Sequence, residues 1–437
     1  MMNRFRLRQI SDAHTNPIIK LINFYGITSK WTHHQLNFYQ WKTLHALLQH
    51  ARATSSYYSD TLQFNIADLE HFHAEVPILT RQVLQQNLNK ISCSLLPEGT
   101  RITKSIFSTG STGTPVEVIL TNFSEAWYKG CHMRDIAWIQ WNIEKHLASI
   151  KYFRCTSELL SRGQEHHQWD QWINKIWHTG NSSTMAIETD PRIQYKWLKK
   201  SAPNYLLTYP SNLEALLDEM DQQGVIPLES IKTISEPLTP ELRARAEKIC
   251  SVFDTYSSQE LGYIASMCHF GRLHIHSEVN YVEILRDDAT ACKVGEVGNV
   301  VITNLVNYAT PLIRYALGDR ASFGKPCPCG APHPVLESIE GKIHPLFTLP
   351  SGHRKNSMEL AVAMRKLGGI KQFQIIQDSG GITINLVPSH IWNEELIVSI
   401  TQQIYNFFES SMPLAINQLT RIPLHGGKQR HLINNLV

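Results

Sequence analysis

Between residues 102 and about 325, short strand-like runs alternate with helical ones, and no other feature constrains the fold as much. The runs ITKSIF (102–107), VEVIL (116–120), ASIKYF (148–153), YLLTY (205–209), IKTIS (231–235) and SVFDTY (251–256) are rich in β-formers. Between them lie NLEALLDEMDQQG (212–224) and TPELRARAEKIC (239–250), whose apolar residues recur at helical spacing. This alternation predicts a layered α/β domain. Ser211 or Asn212 is expected to cap the first helix and Thr239 the second, with Pro240 placed where a missing N–H costs nothing.

The flanks read differently. HQLNFYQWKTLHALLQH (34–50) has helical periodicity, so the first hundred residues are expected to be mainly helical. HHQWDQWINKIW (166–177) reads as a packed helix or a ligand surface. After Gly341 come a helical segment (MELAVAMRKLGG), two strand-like runs (FQIIQD, ITINLV) and a second helix (ELIVSITQQIYNFFES). These describe a small α+β domain over 342–437, hinged near Gly341 to Pro345 on a large domain over 1–341. At 437 residues the chain is too long for one core.

A net charge of +3, from 41 basic and 38 acidic side chains, gives no reason to expect nucleic acid as a partner. The N-terminus lacks the apolar core of a secretory signal, and no run of eighteen apolar residues follows, so no membrane span and a cytoplasmic location are expected. Eight cysteines are too sparse for a disulfide scaffold.

STGSTGTP (108–115) joins two strand-like runs with hydroxyl side chains and glycines. Gly110 and Gly113 permit positive φ and close backbone approach, while Ser108, Thr109, Ser111, Thr112 and Thr114 can aim hydroxyls and N–H groups at one anion. A phosphate chain suits that loop; so does a plain polar hairpin turn. Three further stretches end strand-like runs. In DTYSSQELG (254–262), Tyr256 can stack on a base and Glu260 can ligate Mg²⁺. In PLIRYALGD (311–319), Asp319 can accept from two ribose hydroxyls, and in IPLHGGKQR (422–430), Lys428 follows two glycines on a loop near the C-terminus.

The ordered set STGSTGTP, YPSNLEALL, SEPLTPELR, DTYSSQE, PLIRYALGD and GGK resembles the adenylate-forming superfamily, and within it the phenylacetate-CoA ligase and CapK-like branch. The resemblance implies an adenylate-forming enzyme fold with a small mobile C-terminal domain. It also implies an ATP- and Mg²⁺-dependent ligase that makes an acyl-adenylate from an aryl or acyl acid and passes the acyl group to a thiol such as CoA. Transfer to an amine, a hydroxyl or a carrier-protein thiol stays open, as do a homodimer and a non-catalytic nucleotide-binding role. By the family pattern Ser108 to Thr114 cradle phosphates, and Ser235, Glu236, Pro237, Tyr256 and Ser257 flank the adenine. Asp319 takes the ribose, Glu260 the Mg²⁺, and Lys428 bridges carboxylate and α-phosphate. Lys342 stands at the hinge where the family usually has arginine, and can reach ribose or phosphate without the bidentate fork.

CHFGRLH (268–274) and CPCG (327–330) offer Cys268, His274, Cys327 and Cys329 for a tetrahedral structural Zn²⁺, with His276 or His333 as alternatives to His274. Four protein ligands would leave no position for substrate.

Overall fold

The computed structural model describes residues 16–62, 66–107, 116–151, 153, 162–187, 189, 191–342, 346–352, 354–356, 360, 363–364, 367–389, 392–422 and 432–436. The chain divides into two units, Met1–Lys342 and Ile343–Val437. Among the described residues no helix is long and apolar enough to cross a membrane.

The first unit opens with helices α1 (Pro17–Thr28), α2 (His33–Thr54), α3 (Ser56–Thr61), α4 (Leu69–Glu75) and α5 (Arg81–Ile91). Each starts where a polar side chain caps it; for α2, Thr32 and Gln35 satisfy each other's backbone donors in a capping box. Strands β1 (Ile102–Phe107) and β2 (Glu117–Thr121) form an antiparallel hairpin with Phe107 opposite Glu117. The loop 108–115 between them lies outside the described residues. Helix α6 (Asn122–Trp138) follows, begun by Thr121, whose hydroxyl accepts from the Ser124 N–H.

A twelve-stranded sheet forms the body of this unit. Its strands are β3 (Leu147–Lys151), β4 (Gln164–His166), β5 (Ser182–Ala186), β6 (Tyr205–Thr208), β7 (Ser230–Ile234), β8 (Ser251–Ser258), β9 (Gly262–Met267), β10 (Leu273–Ile275), β11 (Asn280–Leu285), β12 (Gly298–Asn304), β13 (Tyr315–Phe323) and β14 (Val335–Lys342). Spatially they run β11-β12-β13-β14-β10-β9-β8-β7-β6-β3-β5-β4. Strands β5, β3, β6, β7 and β8 pair in parallel, while β9 onward pairs antiparallel. The sheet therefore changes character at the β8–β9 hairpin, which carries Tyr256 to Glu260.

The parallel half follows from its sequence. Ile231 and Leu206 are fully buried, as strands covered on both faces must be, and each such side chain contributes about 1.5–3 kcal/mol. Lys232 breaks the apolar pattern of β7; it is buried and ion-paired with Asp135 of α6, because an unpaired charge there would be costly.

The helix Pro210–Gln223 is not capped by Ser211 or Asn212, contrary to expectation. Tyr209 is the cap residue, Pro210 occupies the first turn, and the Ser211 N–H donates to Glu236 Oε2 at 2.9 Å. A carboxylate from the next loop thus serves a helix start that local side chains leave open. Thr239 does cap the helix Pro240–Ala246, accepting from the Leu242 N–H. Residues 166–177 hold one short helix, Gln171–Asn174, with Ile173, Ile176 and Trp177 buried; packing claims the apolar residues.

The second unit contains the pair β15 (Leu346–Thr348) and β16 (Arg354–Asn356), then β17 (Ile370–Asp378), β18 (Gly381–Pro388), β19 (Leu414–Gln418) and β20 (Leu432–Asn434). The last four form a sheet in the order β19-β18-β17-β20. The helix Glu394–Phe408, capped by Asn393, contributes Ile400, Ile404 and Phe408 to a core shared with Phe373 and Ile375. Half of MELAVAMRKLGG lies outside the described residues.

Candidate active site

Ser235, Glu236, Pro237, Tyr256, Ser257 and Glu260 sit where parallel strands end or the sheet changes direction, which is where open α/β sheets bind ligands. Ile234 is in register with Thr255, so the chain leaves β7 at Ser235 beside Tyr256. Ser235 has φ +72, a left-handed conformation disfavoured for a residue with a Cβ. Two neighbours hold it: β7 on one side and, on the other, Glu236, fastened to the start of the preceding helix, Pro210–Gln223. Strain retained at such a bend points to a functional backbone. Pro237 is exposed and Ser257 half-buried.

Tyr256 and Asp319 are both buried, and the Tyr256 hydroxyl donates to Asp319 Oδ2 at 2.7 Å. Burial, then the Asp319 charge, holds the phenol well above its ordinary pKa, so it stays a donor. The contact is long-range in the sheet, since β9, β10 and β14 lie between β8 and β13. It is possible because β10 has three residues and pairs with Met267 to Ala265 and with Leu336 and Val335 only. Gly318, at φ +84 with open space where a Cβ would stand, turns the strand just before Asp319. Asp319 is also in register with Lys342, the last residue of β14.

Glu260 is buried and accepts from Arg81 Nη1 at 3.0 Å. Arg81 begins α5, far from any motif, and nothing in its sequence neighbourhood marks it. Its position is set by backbone: the Leu79 N–H donates to the Arg314 carbonyl and the Ala316 N–H to the Leu79 carbonyl, both at 2.9 Å. Tyr315, between those two residues, is fully buried and feels the charges of Glu260, Arg81 and Asp319. Arg314 was also missed, although it lies inside PLIRYALGD. At φ +48 it pairs with Glu283 and donates to the carbonyls of His73 and Val76, anchoring the strand that carries Asp319. The sequence signal was its position one residue before that strand.

Asp254, two residues before Tyr256, accepts from Thr233 Oγ1 at 2.7 Å, and burial raises its carboxyl to about 6. A folded-state value above the unfolded one means the stability that the neutral acid contributes at low pH is lost as pH rises from about 4 through 6. Asp254→Asn is therefore expected to gain roughly 1–2 kcal/mol at pH 8, after solvent screening, and nothing at pH 4. Thermal melts at both pH values check it; equal gains at both would contradict the assignment.

Loop residues Ser108 to Thr114 and Lys428 lie outside the described residues, as does the Lys342 side chain. Among the aromatic side chains of this unit, Phe107 is exposed, Trp127 packs on Phe24 and Tyr25, and Trp138 stacks on His276.

The four predicted metal ligands do come together. Their ligand atoms all lie within 4.8 Å of one another. Cys268 Sγ and Cys327 Sγ are 3.7 Å apart, and Cys329 Sγ is 3.4 Å from His274 Nε2. A tetrahedral Zn²⁺ with bonds of about 2.3 Å to sulfur and 2.0 Å to nitrogen would need separations of about 3.8 and 3.5 Å. No disulfide links these cysteines. His274 Nδ1 lies 3.1 Å from the His333 carbonyl, which fixes the tautomer that aims Nε2 inward. The Cys329 and Ala331 N–H groups point at Cys327 and Cys329 sulfurs, as suits thiolates. His276 instead accepts from Arg134, and His333 contributes its carbonyl, so neither replaces His274.

Among solved structures the chain is similar to 2-hydroxyisobutyryl-CoA ligase in the postadenylation state in complex with R3-HIB-AMP. Identity is 16%, covering 94% of this chain and 91% of that one, with a TM-score of 0.68. The fold is that of the adenylate-forming enzymes. The same ligase in the thioesterification state, in complex with 2-HIB-AMP and CoA, aligns at 17% identity over 93% and 91% of the two chains with a TM-score of 0.61. No protein-family model and no curated protein matches the sequence. Among the described residues the candidate site comprises Ser235 to Pro237, Tyr256, Glu260 and Asp319, with Arg81 paired to Glu260.

Proposed function

We propose that the chain is an ATP-dependent carboxylate-activating ligase of the phenylacetate-CoA ligase and CapK-like branch. It forms an acyl-adenylate from an aryl or acyl acid and passes the acyl group to a thiol, CoA in the first instance. The observation that carries this reading is the buried Tyr256–Asp319 hydrogen bond beside the Arg81–Glu260 pair, at the point where the sheet changes direction. CoA is favoured because the similar 2-hydroxyisobutyryl-CoA ligase forms a complex with 2-HIB-AMP and CoA.

In the first half-reaction a carboxylate oxygen attacks the α-phosphorus and pyrophosphate leaves; in the second a thiol sulfur attacks the acyl carbon and AMP leaves. Both reactants of the first step are anions, so the chain must supply cations and oriented donors. Asp319, steadied by Tyr256, accepts from the ribose hydroxyls. The bent backbone at Ser235 to Pro237 flanks the base, and Ser108 to Thr114 cradle the phosphates. Glu260 would hold Mg²⁺, which neutralises phosphate charge when bound; a buried carboxylate with a displaceable cation beside it fits that task. Lys428 faces the carboxylate and the α-phosphate. Cys268, His274, Cys327 and Cys329 would hold a structural Zn²⁺.

Exchange of labelled pyrophosphate into ATP across a panel of aryl and acyl acids tests the reading. At least one acid is expected to support exchange; none doing so, in protein that binds ATP, would sink it.

A further inference from the structure

Arg81 belongs to no motif, yet it occupies the carboxylate that the proposed reaction needs. Its guanidinium is 3.0 Å from Glu260 Oε1; the arginine side chain is 19% exposed against 6% for the glutamate, so the cation has a way out and the carboxylate does not. The pivot is rigid. Leu79 is tied on both sides of Tyr315, and Thr80 caps α5 by accepting from the Val83 N–H, so the backbone of Arg81 is fixed to the strand bearing Asp319.

A magnesium ion on Glu260 would sit about 2.1 Å from a carboxylate oxygen. A guanidinium bonded to the same carboxylate would then lie about 4–5 Å from a divalent charge, close enough for the like charges to repel and weaken each other's hold on the carboxylate. The two cations cannot share Glu260, and the arginine is the one with room to leave. Polyphosphate arriving with the metal presents planar pairs of oxygens, which the arginine fork matches better than any other side chain.

Resting on the ligase reading, we propose that Arg81 is an exchangeable counter-ion of the nucleotide site. It holds Glu260 in the free protein and moves to the nucleotide's phosphates when a divalent cation takes that carboxylate. Metal and nucleotide binding are thereby coupled through one side chain, and Arg81 touches the substrate only in the loaded state.

Two measurements on Arg81→Met, with Arg81→Lys beside it, test this. Free Mn²⁺ is counted by electron paramagnetic resonance without nucleotide, and Mg·ATP binding is measured by calorimetry. Arg81→Met is expected to bind Mn²⁺ at least about tenfold more tightly than the parent chain, since the competitor is gone, and Mg·ATP at least about tenfold more weakly. Arg81→Lys, which keeps the charge without the fork, should fall between on both. Unchanged Mn²⁺ affinity in Arg81→Met, whatever happens to Mg·ATP, overturns the exchange, and so does Mg·ATP affinity within twofold of the parent. Melting temperatures within a few degrees establish that the variants are folded. A parent chain that binds Mn²⁺ but no nucleotide would instead defeat the ligase reading, which the Mn²⁺ comparison tells apart.

Discussion

Stripping the chain of metal with a strong chelator is expected to lower its melting temperature by roughly 5–10 °C, after elemental measurement finds about one zinc per chain. Two segments whose sulfurs are 59 residues apart in sequence, at Cys268 and Cys327, meet at this cluster, next to the pairing of β10 with β14. Without a cation, three thiols and an imidazole are packed together with little to hold them, and each thiolate-directed N–H loses its charged acceptor. Structural zinc contributes directly to folding free energy, so even a fraction of the affinity seen in small zinc domains would register in a melt. Cys327→Ser should reproduce most of the loss and make the melt indifferent to chelator. A zinc-free preparation melting at the same temperature as the loaded one would leave the four residues as a coincidence of packing.

Replacing Lys428 by alanine is expected to slow acid-dependent pyrophosphate exchange by about 10²–10³, on the scale of removing one preorganised donor from a developing charge. The effect should fall on turnover rather than on ATP affinity, because the proposed lysine acts where two anions are pressed together, while the hydrogen-bonded pair Asp319 and Tyr256 is proposed to hold the nucleotide. Titration of ATP by calorimetry separates the two. An alanine variant that exchanges within tenfold of the parent would remove Lys428 from the reaction.

Much of this architecture can be read from residue pattern, and the exceptions have physical causes. Strands at Tyr205–Thr208, Ser230–Ile234 and Ser251–Ser258 announce themselves by their β-branched and aromatic residues and by the helical runs between them. Lys232 hides within one of them because its partner, Asp135, is 97 residues away. The four candidate cysteine and histidine ligands are legible as chemistry, but that His274 rather than His276 or His333 lies beside the three sulfurs depends on the fold. Arg81 and the Glu236 cap are invisible for the same reason as each other: each acts on a segment brought near by the fold, so no local spacing encodes the contact. The left-handed bends at Ser235 and Arg314 are hidden because neither is glycine, the residue such geometry usually selects.

The paired backbone hydrogen bonds at Leu79 carry a consequence for biosynthesis. The helices up to Ile91 emerge early from a ribosome, but the residues that receive Leu79, Arg314 and Ala316, are made more than two hundred residues later. A nascent chain arrested near residue 300 should leave the 76–81 connection open to protease, and one released past residue 325 should protect it.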